Sequence, residues 1–207
     1  MVVKRPKRAT TDGSRRGRPK GDKRARTRAK LLEAARQLIR EKGYEHTTME
    51  AVARRAGMTS GAIYGNFKNR NELFIALGQT YWPAIAPDVS PHAGFEEKMR
   101  AYADAAIAAI PDRRAVAVGR LTGMAYALSH EDLRIQVEAA TATSYAAGAA
   151  WLSAGADELS VRPEVLVAVI HALTEGLMFQ RFLTPDLISD EVFRAAFHAL
   201  AVSRRSE

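Results

Sequence analysis

The chain has 207 residues, of which 47% are hydrophobic, and it carries a formal net charge of +8 at pH 7. This length and composition predict one or two small globular domains with a buried core. The chain contains no cysteine, which excludes disulfides and thiolate metal sites and fits a reducing cytoplasm, where we expect the protein to work.

The charge is distributed unevenly along the chain. Residues 1–30 hold 13 Lys or Arg and two acidic residues, whereas residues 81–207 hold five more acidic than basic residues. We therefore expect only the front of the chain to meet a polyanion. We find no apolar run near the roughly 20 residues of a membrane span. No apolar core follows the basic N-terminus, so we expect neither a membrane partner nor a secretory signal.

The first 21 residues are basic and almost free of apolar side chains, so we interpret them as a disordered arm. Residues 15–20 read Arg-Arg-Gly-Arg-Pro-Lys, which resembles the core of an AT-hook. An extended strip of this kind can lie in a narrow minor groove, where the negative potential attracts arginine. A generic tail that binds any polyanion is an equal alternative. The candidate DNA-contacting residues of the arm are Arg15, Arg16, Arg18 and Lys20.

The apolar periodicity predicts helices throughout the rest of the chain, with breaks at proline or glycine. They cover residues 22–42, 70–85, 95–110, 113–128, 131–153, 163–182 and 190–204, besides two short helices between 47 and 69. Since no alternating strand pattern has useful length, the predicted fold class is all-α. An N-terminal three-helix domain over residues 22–69 would precede a C-terminal helical domain over residues 70–207.

Residues 47–73 have the pattern of a helix-turn-helix. Thr47 followed by Glu50 matches a capping box at the start of a first helix, and Gly57 stands where a tight turn requires positive φ. Thr59 can cap a second short helix. Two helices that cross through a short turn also need a small residue at the crossing and apolar anchors on the second helix. In this chain the small residue is Ala53, and the apolar anchors are Ile63 and Phe67.

The second helix is predicted to read base edges, because the start of such a helix enters the major groove. Asn66 can pair with adenine, whereas Tyr64 and Lys68 are better placed to contact phosphates. Thr48 can donate to phosphate at the start of the first helix. An ordinary helical hairpin is the alternative, and the basic upstream segment argues against it. The predicted DNA-contacting residues are Thr48, Thr59, Ser60, Gly61, Ala62, Tyr64, Gly65, Asn66 and Lys68.

Residues 24–75 resemble the tetracycline-repressor (TetR) family of regulators. The shared elements are Gly43-Tyr44, Thr47-Thr48, Ala51-Val52-Ala53, Ala56-Gly57-Met58-Thr59, Gly61, Tyr64, Phe67 and Glu72-Leu73. The rear half matches in helical layout and in Glu175-Gly176-Leu177 followed by Pro185. Two departures are Asn66, where the family often has His or Tyr, and the lack of a Lys near Asn71.

The resemblance implies that the C-terminal domain holds a pocket for a small apolar or amphipathic inducer. Large aromatic side chains beside alanines can line such a pocket, although residue by residue a plain core explains them better. The candidates are Trp82, Phe95, Met99, Tyr102, Met124, Tyr126, Tyr145, Trp151, His171 and Met178. A satisfied core histidine is the simpler interpretation of His171.

The resemblance also implies a homodimer built on a four-helix bundle from the last two helices of each copy. Two half-sites on DNA require two reading heads at a fixed spacing, which agrees with this. The alternative is that the apolar stripes of these helices only close the core of one copy. The candidate interface residues are Leu166, Ile170, Leu173, Leu177, Val192, Phe193, Ala196, Phe197 and Leu200.

Together these patterns predict a homodimeric repressor of transcription that a small molecule releases from a palindromic operator on double-stranded DNA. Ligand in the rear pocket would move the helix near 70–85 and swing the reading heads out of register. One alternative is an architectural DNA-binding protein of low sequence preference. A helical enzyme is a second, which the sequence disfavours because we find no nucleophile elbow, phosphate loop or metal-ligand spacing. We expect no cofactor and no metal.

Overall fold

The computed structural model describes residues 20–154, 159 and 161–202, which form ten α-helices and, within these ranges, no β-strand. The side chains of residues 20–22 are outside this description. The helices are α1 (Lys20–Lys42), α2 (Met49–Arg55), α3 (Ser60–Tyr64), α4 (Arg70–Tyr81), α5 (Phe95–Ala108), α6 (Ile110–Arg114), α7 (Ala117–Leu128), α8 (Glu131–Ser153), α9 (Pro163–Leu183) and α10 (Asp190–Val202). The all-α prediction is confirmed.

Two of the predicted helices differ most from the observed ones. The helix predicted over 70–85 ends at Tyr81, because Pro83 cannot continue it. The helix predicted over 113–128 is two helices, since the backbone leaves helical geometry at Val116. Pro111 occupies the first turn of α6, where the missing N–H has no helical partner to lose.

The first four helices enclose one apolar core. Leu31 of α1, Val52 of α2, Ile63 of α3 and Leu73 of α4 are completely buried in it, and Leu133 of α8 packs against the same cluster. The domain boundary predicted between residues 69 and 70 therefore cuts through a continuous core, because α4 contributes to it along its length. A movement of α4 has to be transmitted to the helix-turn-helix.

A second apolar core holds the remaining helices together. Helix α10 packs along α5, and α9 packs along α8. The residues predicted at a dimer interface include four that are buried inside this core, so their placement was wrong: Leu166, Ile170, Phe193 and Phe197. Leu173, Leu177 and Leu200 are half-buried and pack against it, while Val192 and Ala196 are half-buried on α10.

Helix α9 is long and apolar enough to cross a membrane by length and composition, with 22% of its most apolar window buried. The expectation that no stretch approaches such a length was therefore too strong. One side of α9 nevertheless packs into the protein core through Thr174 and Met178. Its opposite side exposes Val165, Val169 and Ala172. This pattern is also typical of a helix at an interface between two copies of a chain.

Candidate nucleic-acid interface and adjoining cavity

The helix-turn-helix is held by two capping threonines and one glycine. The Thr48 hydroxyl accepts a hydrogen bond from the Ala51 N–H at 3.1 Å, and the Thr59 hydroxyl accepts one from the Ala62 N–H at 3.3 Å. Gly57 has a φ of +65°, as the turn between α2 and α3 requires. These local interactions fix the start of α3, which is the end that would enter a major groove.

The capping box predicted at Thr47 is displaced by one residue. Thr47 is completely buried, and its hydroxyl donates to the Gly43 carbonyl at 2.8 Å, whereas Thr48 is the exposed N-cap. Adjacent threonines compete for this role, and burial of the first leaves the second to cap. The Thr48 hydroxyl accepts from Ala51 and also forms a hydrogen bond with the Glu50 carboxylate, so a phosphate would compete with Glu50 for its single proton.

Seven of the nine residues predicted on this surface are exposed: Thr48, Thr59, Ser60, Gly61, Tyr64, Gly65 and Lys68. Ala62 and Asn66 are half-buried. The outward orientation predicted for Asn66 was wrong, because its amide donates to the Ala62 carbonyl at 2.8 Å and its Oδ1 is buried. Asn66 follows the last residue of α3 and lies beyond the part that could enter a groove.

The exposed face of α3 has one charged neighbour that restrains it. The Tyr64 hydroxyl donates to Glu50 Oε1 at 2.9 Å. A backbone hydrogen bond to the Glu50 carboxylate, and after it the bond from Tyr64, lower the pKa of Glu50. Behind α3, Arg28 of α1 stacks on Phe67 at 4.4 Å and donates to the Asn66 carbonyl at 3.3 Å. Sequence reasoning missed Arg28 because it lies in a run of basic residues.

The arm predicted to bind DNA lies almost wholly outside the described residues. Arg15, Arg16 and Arg18 are not described, and Lys20 is the first residue of α1, so the backbone is already helical there. The observed start of α1 is two residues earlier than the predicted position at 22.

An aromatic cluster joins the helix-turn-helix domain to the rear domain. Tyr44 stacks on Tyr126 with ring centroids 5.2 Å apart, and Tyr126 stacks on His130 at 3.8 Å. Arg70 lies over Phe74 and donates to the carbonyl of Tyr44. Tyr126, which was predicted to line the pocket, therefore belongs to this junction instead.

Helix α7 approaches the junction very closely. The Tyr44 hydroxyl donates to the Gly119 carbonyl at 3.4 Å, and a Cβ on Gly123 would stand 2.6 Å from the Tyr44 hydroxyl oxygen. Any other residue at 123 would require the Tyr44 ring to shift. Arg120 and Met124 of α7 line the cavity described next, as do Gly119 and Gly123.

A cavity of about 1210 Å³ lies between α4, α7, α8 and α9 and extends toward α1. Six of the predicted pocket residues line it: Trp82, Tyr102, Met124, Tyr145, Trp151 and His171. Four do not. Phe95, Met99 and Met178 pack in the rear core, and Tyr126 lies at the junction. Large apolar side chains on one helix can point into the cavity or into the core, and composition alone does not distinguish the two positions.

Charged residues that sequence reasoning missed line one end of the cavity. Glu175 accepts a hydrogen bond from Trp82 Nε1 at 2.5 Å and one from Arg120 at 3.3 Å. Arg113 lies 3.8 Å from the same carboxylate and donates to the Pro83 carbonyl at 2.5 Å. Arg113 also stacks on the Trp82 ring at 4.6 Å. The group therefore ties α9 to α6, α7 and the end of α4.

The cavity wall also contains a tyrosine–histidine pair. The Tyr145 hydroxyl and His171 Nδ1 are 2.9 Å apart. Burial lowers the pKa of His171 and, with smaller contributions from Arg120 and Arg113, outweighs the nearby Glu175 carboxylate. Which of the two groups donates depends on the tautomer of His171, but in either case they satisfy each other, in agreement with the simpler interpretation of this residue.

The comparison with protein families is decisive for the front of the chain. Residues 31–77 match the model described as bacterial regulatory proteins, tetR family. These residues contain most of α1, all of α2 and α3, and most of α4.

Over residues 31–77 the chain is similar to the tetR family.

Curated relatives match the front of the chain as well. The repressor AcnR of Corynebacterium efficiens is 36% identical over 80 residues, which are 39% of this chain and 42% of AcnR. The regulator TtgR of Pseudomonas putida is 45% identical over 51 residues, or 25% of this chain and 24% of TtgR. The chain thus matches less than half the length of either relative, so these comparisons characterise its DNA-binding domain.

Solved structures extend the likeness to the whole fold. NalD, described as the secondary repressor of the MexAB-OprM multidrug efflux pump in Pseudomonas aeruginosa, is 22% identical with a TM-score of 0.57, and the likeness covers 88% of this chain and all of NalD. The multidrug binding protein EbrR, solved with imidazole, is 18% identical with a TM-score of 0.59, covering 87% of this chain and 93% of EbrR. The fold that this chain shares with these structures therefore includes the rear domain.

Proposed function

We propose that this protein is a homodimeric tetR-family repressor of transcription, which binds a palindromic DNA operator and is released by a small molecule. The observation that carries the proposal is the match of residues 31–77 to the family model, on a helix-turn-helix whose second helix presents hydroxyls to solvent. The protein would act in the cytoplasm as a regulator and not as an enzyme.

The DNA-binding part of the proposal rests on the exposed start of α3. Ser60, Gly61 and Tyr64 are exposed there, and Lys68 follows beyond the helix. The helix-turn-helix segment carries little net charge, so most of the electrostatic attraction would come from the basic arm in residues 1–21. The arm would then raise affinity and salt dependence, while α3 selects the sequence.

Selection from a random pool of duplex DNA tests this part. We expect a palindromic consensus, because two α3 helices related by a two-fold axis read the same half-site twice. Replacing Ser60 with Ala should then relax the preference at one position of each half-site. The arm is tested separately by deleting residues 1–19, which should weaken binding and flatten the dependence of affinity on salt. A pool without any consensus would favour the architectural alternative.

The dimer is proposed to form through the exposed side of α9. Val165, Val169 and Ala172 lie on this side, and a Cβ at Gly176 would meet nothing within 4 Å. An apolar stripe of this length on a soluble helix is typical of an interface. The location differs from the predicted residues, four of which are needed for the core of one copy.

Substituting Val169 with Glu tests the interface, because it places a charge in the middle of the stripe. Sedimentation analysis should show a monomer where the unmodified chain is a dimer. The matched control is Ile135→Glu, which adds the same charge at an exposed apolar position of α8. A Val169→Glu chain that remains a dimer would place the interface elsewhere.

Ligand release is proposed to act through α4 and α7, which both line the cavity and reach the helix-turn-helix domain. EbrR is described as a multidrug binding protein, and the cavity here has aromatic walls that suit a similar apolar ligand. A ligand releases DNA only if it binds the DNA-incompetent arrangement more tightly. Competition between ligand and operator in a gel-shift titration tests this linkage, and a bound ligand without effect on operator affinity would contradict it for that ligand.

A further inference from the structure

One end of the cavity holds more positive than negative charge. Arg113 and Arg120 face a single carboxylate, that of Glu175, and the exposed fractions of the three side chains are 6%, 28% and 13%. Two guanidinium groups and one carboxylate leave one uncompensated positive charge in a largely dehydrated place. Burial of such a charge is unfavourable unless another anion or several acceptors lie close to it.

The hydrogen bonds of the two arginines are unequal. Arg113 uses its guanidinium on the Pro83 carbonyl and on the Met178 sulfur at 3.3 Å, which holds the segment after α4 against α9. Arg120 donates to Glu175 through one terminal nitrogen, and its Nε is buried without a partner. A guanidinium has five N–H donors, so Arg120 has unused capacity where the cavity begins.

Burial lowers the pKa of Arg113 in spite of the Glu175 carboxylate, which acts in the opposite direction. The charge on Arg113 is therefore incompletely balanced by the protein itself. Fixing the fold would require only one arginine for Glu175, as Trp82 Nε1 already donates to the same carboxylate at 2.5 Å. Arg113 is held by the Pro83 carbonyl, the Met178 sulfur and the Trp82 ring, whereas Arg120 keeps a buried Nε without a partner.

The rest of the cavity wall has a different character. Beside Glu175 it is formed mainly by aromatic and aliphatic side chains, among them Tyr102, Trp151 and Ile170, with the Tyr145–His171 pair satisfied internally. Two further arginines, Arg36 and Arg40, line the part of the cavity that extends toward α1. A cationic end and an apolar body together suit a ligand of matching polarity.

We propose that the cavity selects amphipathic ligands with an anionic head group, and that Arg120, with support from Arg113, is the residue that determines this specificity. The inference rests on the proposed ligand-responsive function and narrows its ligand class. The head group would be a carboxylate, sulfonate or phenolate that accepts hydrogen bonds from Arg120, while the apolar body lies against Tyr102 and Trp151.

Two fluorescent probes test the proposal on the full-length chain. They are 8-anilinonaphthalene-1-sulfonate and N-phenyl-1-naphthylamine, which share an aromatic body and differ in the sulfonate. We expect the anionic probe to bind about 10- to 100-fold more tightly, as a charge-assisted hydrogen bond in a dehydrated site implies. The substitution Arg120→Gln should remove most of this preference and leave the affinity for the neutral probe within about twofold.

The matched control is Arg114→Gln, which removes the same charge from an exposed position of α6 that does not line the cavity. It should leave the preference unchanged. A second variant, Glu175→Gln, removes the competing carboxylate and should strengthen binding of the anionic probe. If either cavity variant does not fold, displacement of the neutral probe from the unmodified chain by 1-naphthylacetate, compared with 2-(1-naphthyl)ethanol, measures the same preference.

The outcomes separate this inference from the proposed function. Equal affinities for the two probes, or an anion preference that survives Arg120→Gln, would overturn the inference and leave a ligand cavity in place. Failure of both probes, and of both naphthyl competitors, to bind would instead contradict the ligand-responsive function on which the inference rests. A preference lost equally in Arg114→Gln would assign it to general surface charge and would also overturn the inference.

Discussion

The helix-turn-helix domain and the rear domain handle buried polar groups in opposite ways. Among the described residues, the front core of α1–α4 buries the hydroxyl of Thr47 but no charged side chain, and that hydroxyl has a backbone partner. The rear domain buries Lys98 and Arg113, and its helices form most of the wall of a cavity of about 1210 Å³ that the front helices α1 and α4 complete. A DNA-binding domain needs fixed geometry, whereas a ligand-binding domain needs polar groups whose interactions a ligand can complete.

The largest expected effect compares a core residue of the reading head with a residue of the cavity wall. Ile63 is completely buried at the crossing of α2 and α3, so Ile63→Ala should lower the free energy of unfolding by about 2 to 5 kcal/mol. Met124→Ala, at a position 40% exposed beside an existing cavity, should cost less than about 1 kcal/mol. Urea unfolding followed by far-ultraviolet circular dichroism measures both. Equal losses would show that the cavity wall is packed as tightly as the front core.

A second comparison concerns the completely buried Lys98. Its ammonium donates to the Trp151 carbonyl at 2.7 Å and to the Ala154 carbonyl, so it satisfies the C-terminal end of α8. Lys98→Met should lower the free energy of unfolding by about 2 to 3 kcal/mol, because these carbonyls lose their donor and the helix end loses a cation.

The control for Lys98 is Arg100→Met, two residues away and exposed on α5, which should change stability by less than about 0.5 kcal/mol. Thermal unfolding followed by tryptophan fluorescence suits this pair, since Trp82 and Trp151 both report on the rear domain. An unchanged or increased stability of Lys98→Met would mean that the cost of dehydrating the ammonium exceeds the value of its hydrogen bonds.

The sequence predicted the front domain well because its signals are local. Gly57 in the turn and Thr59 as a cap act on backbone groups within four residues, so their roles are visible in a short window. The error at Thr47 has the same origin. Only tertiary burial decides which of two neighbouring threonines caps α2.

The rear domain was predicted in outline, and its polar site was not. Arg113, Arg120 and Glu175 come together from α6, α7 and α9, and Glu175 is separated from the arginines by 55 residues or more. In the sequence each resembles an ordinary solvated charge on a helix. The apolar stripe on α9 was equally ambiguous, because a core face and a dimer face have the same helical period.

The junction between the two domains gives a smaller effect with a matched control on the same helix. Gly119→Ala should raise the free energy of unfolding by about 0.5 to 1 kcal/mol, because alanine favours a helix and a Cβ at this position meets nothing. Gly123→Ala should not raise the free energy of unfolding, since its Cβ would press on the half-buried Tyr44 ring.

The same pair of variants tests coupling between the domains. If α7 transmits ligand binding through Tyr44, Gly123→Ala should change operator affinity a few-fold while Gly119→Ala leaves it unchanged. Operator binding measured by fluorescence anisotropy, alongside unfolding, distinguishes the two effects. Identical behaviour of the two alanine variants would mean that the Tyr44 contact carries no coupling.

The smallest expected effect concerns a partly exposed network that ties α1 to α4 in the front domain. Glu33 accepts hydrogen bonds from Arg36 at 2.8 Å and 2.9 Å and from the Tyr81 hydroxyl at 2.7 Å. The Arg36 hydrogen bonds, against burial and with help from Tyr81 and Gln37, lower the pKa of Glu33 from 4.5 to about 2. The stabilisation is therefore present above pH 4.5 and is lost as the pH falls toward 2.

Because the Glu33 side chain is 40% exposed, solvent screening should limit this stabilisation to about 0.5 to 1 kcal/mol. Glu33→Gln should lower the free energy of unfolding by that amount at pH 6, and the difference from the unmodified chain should shrink between pH 4.5 and pH 2. Tyr81→Phe removes one donor and should show the same trend at reduced size. A difference between Glu33→Gln and the unmodified chain that stays constant with pH would mean that this network stabilises the protein through packing and not through its charge. The front domain would then be stabilised at its surface, as in its core, mainly by packing.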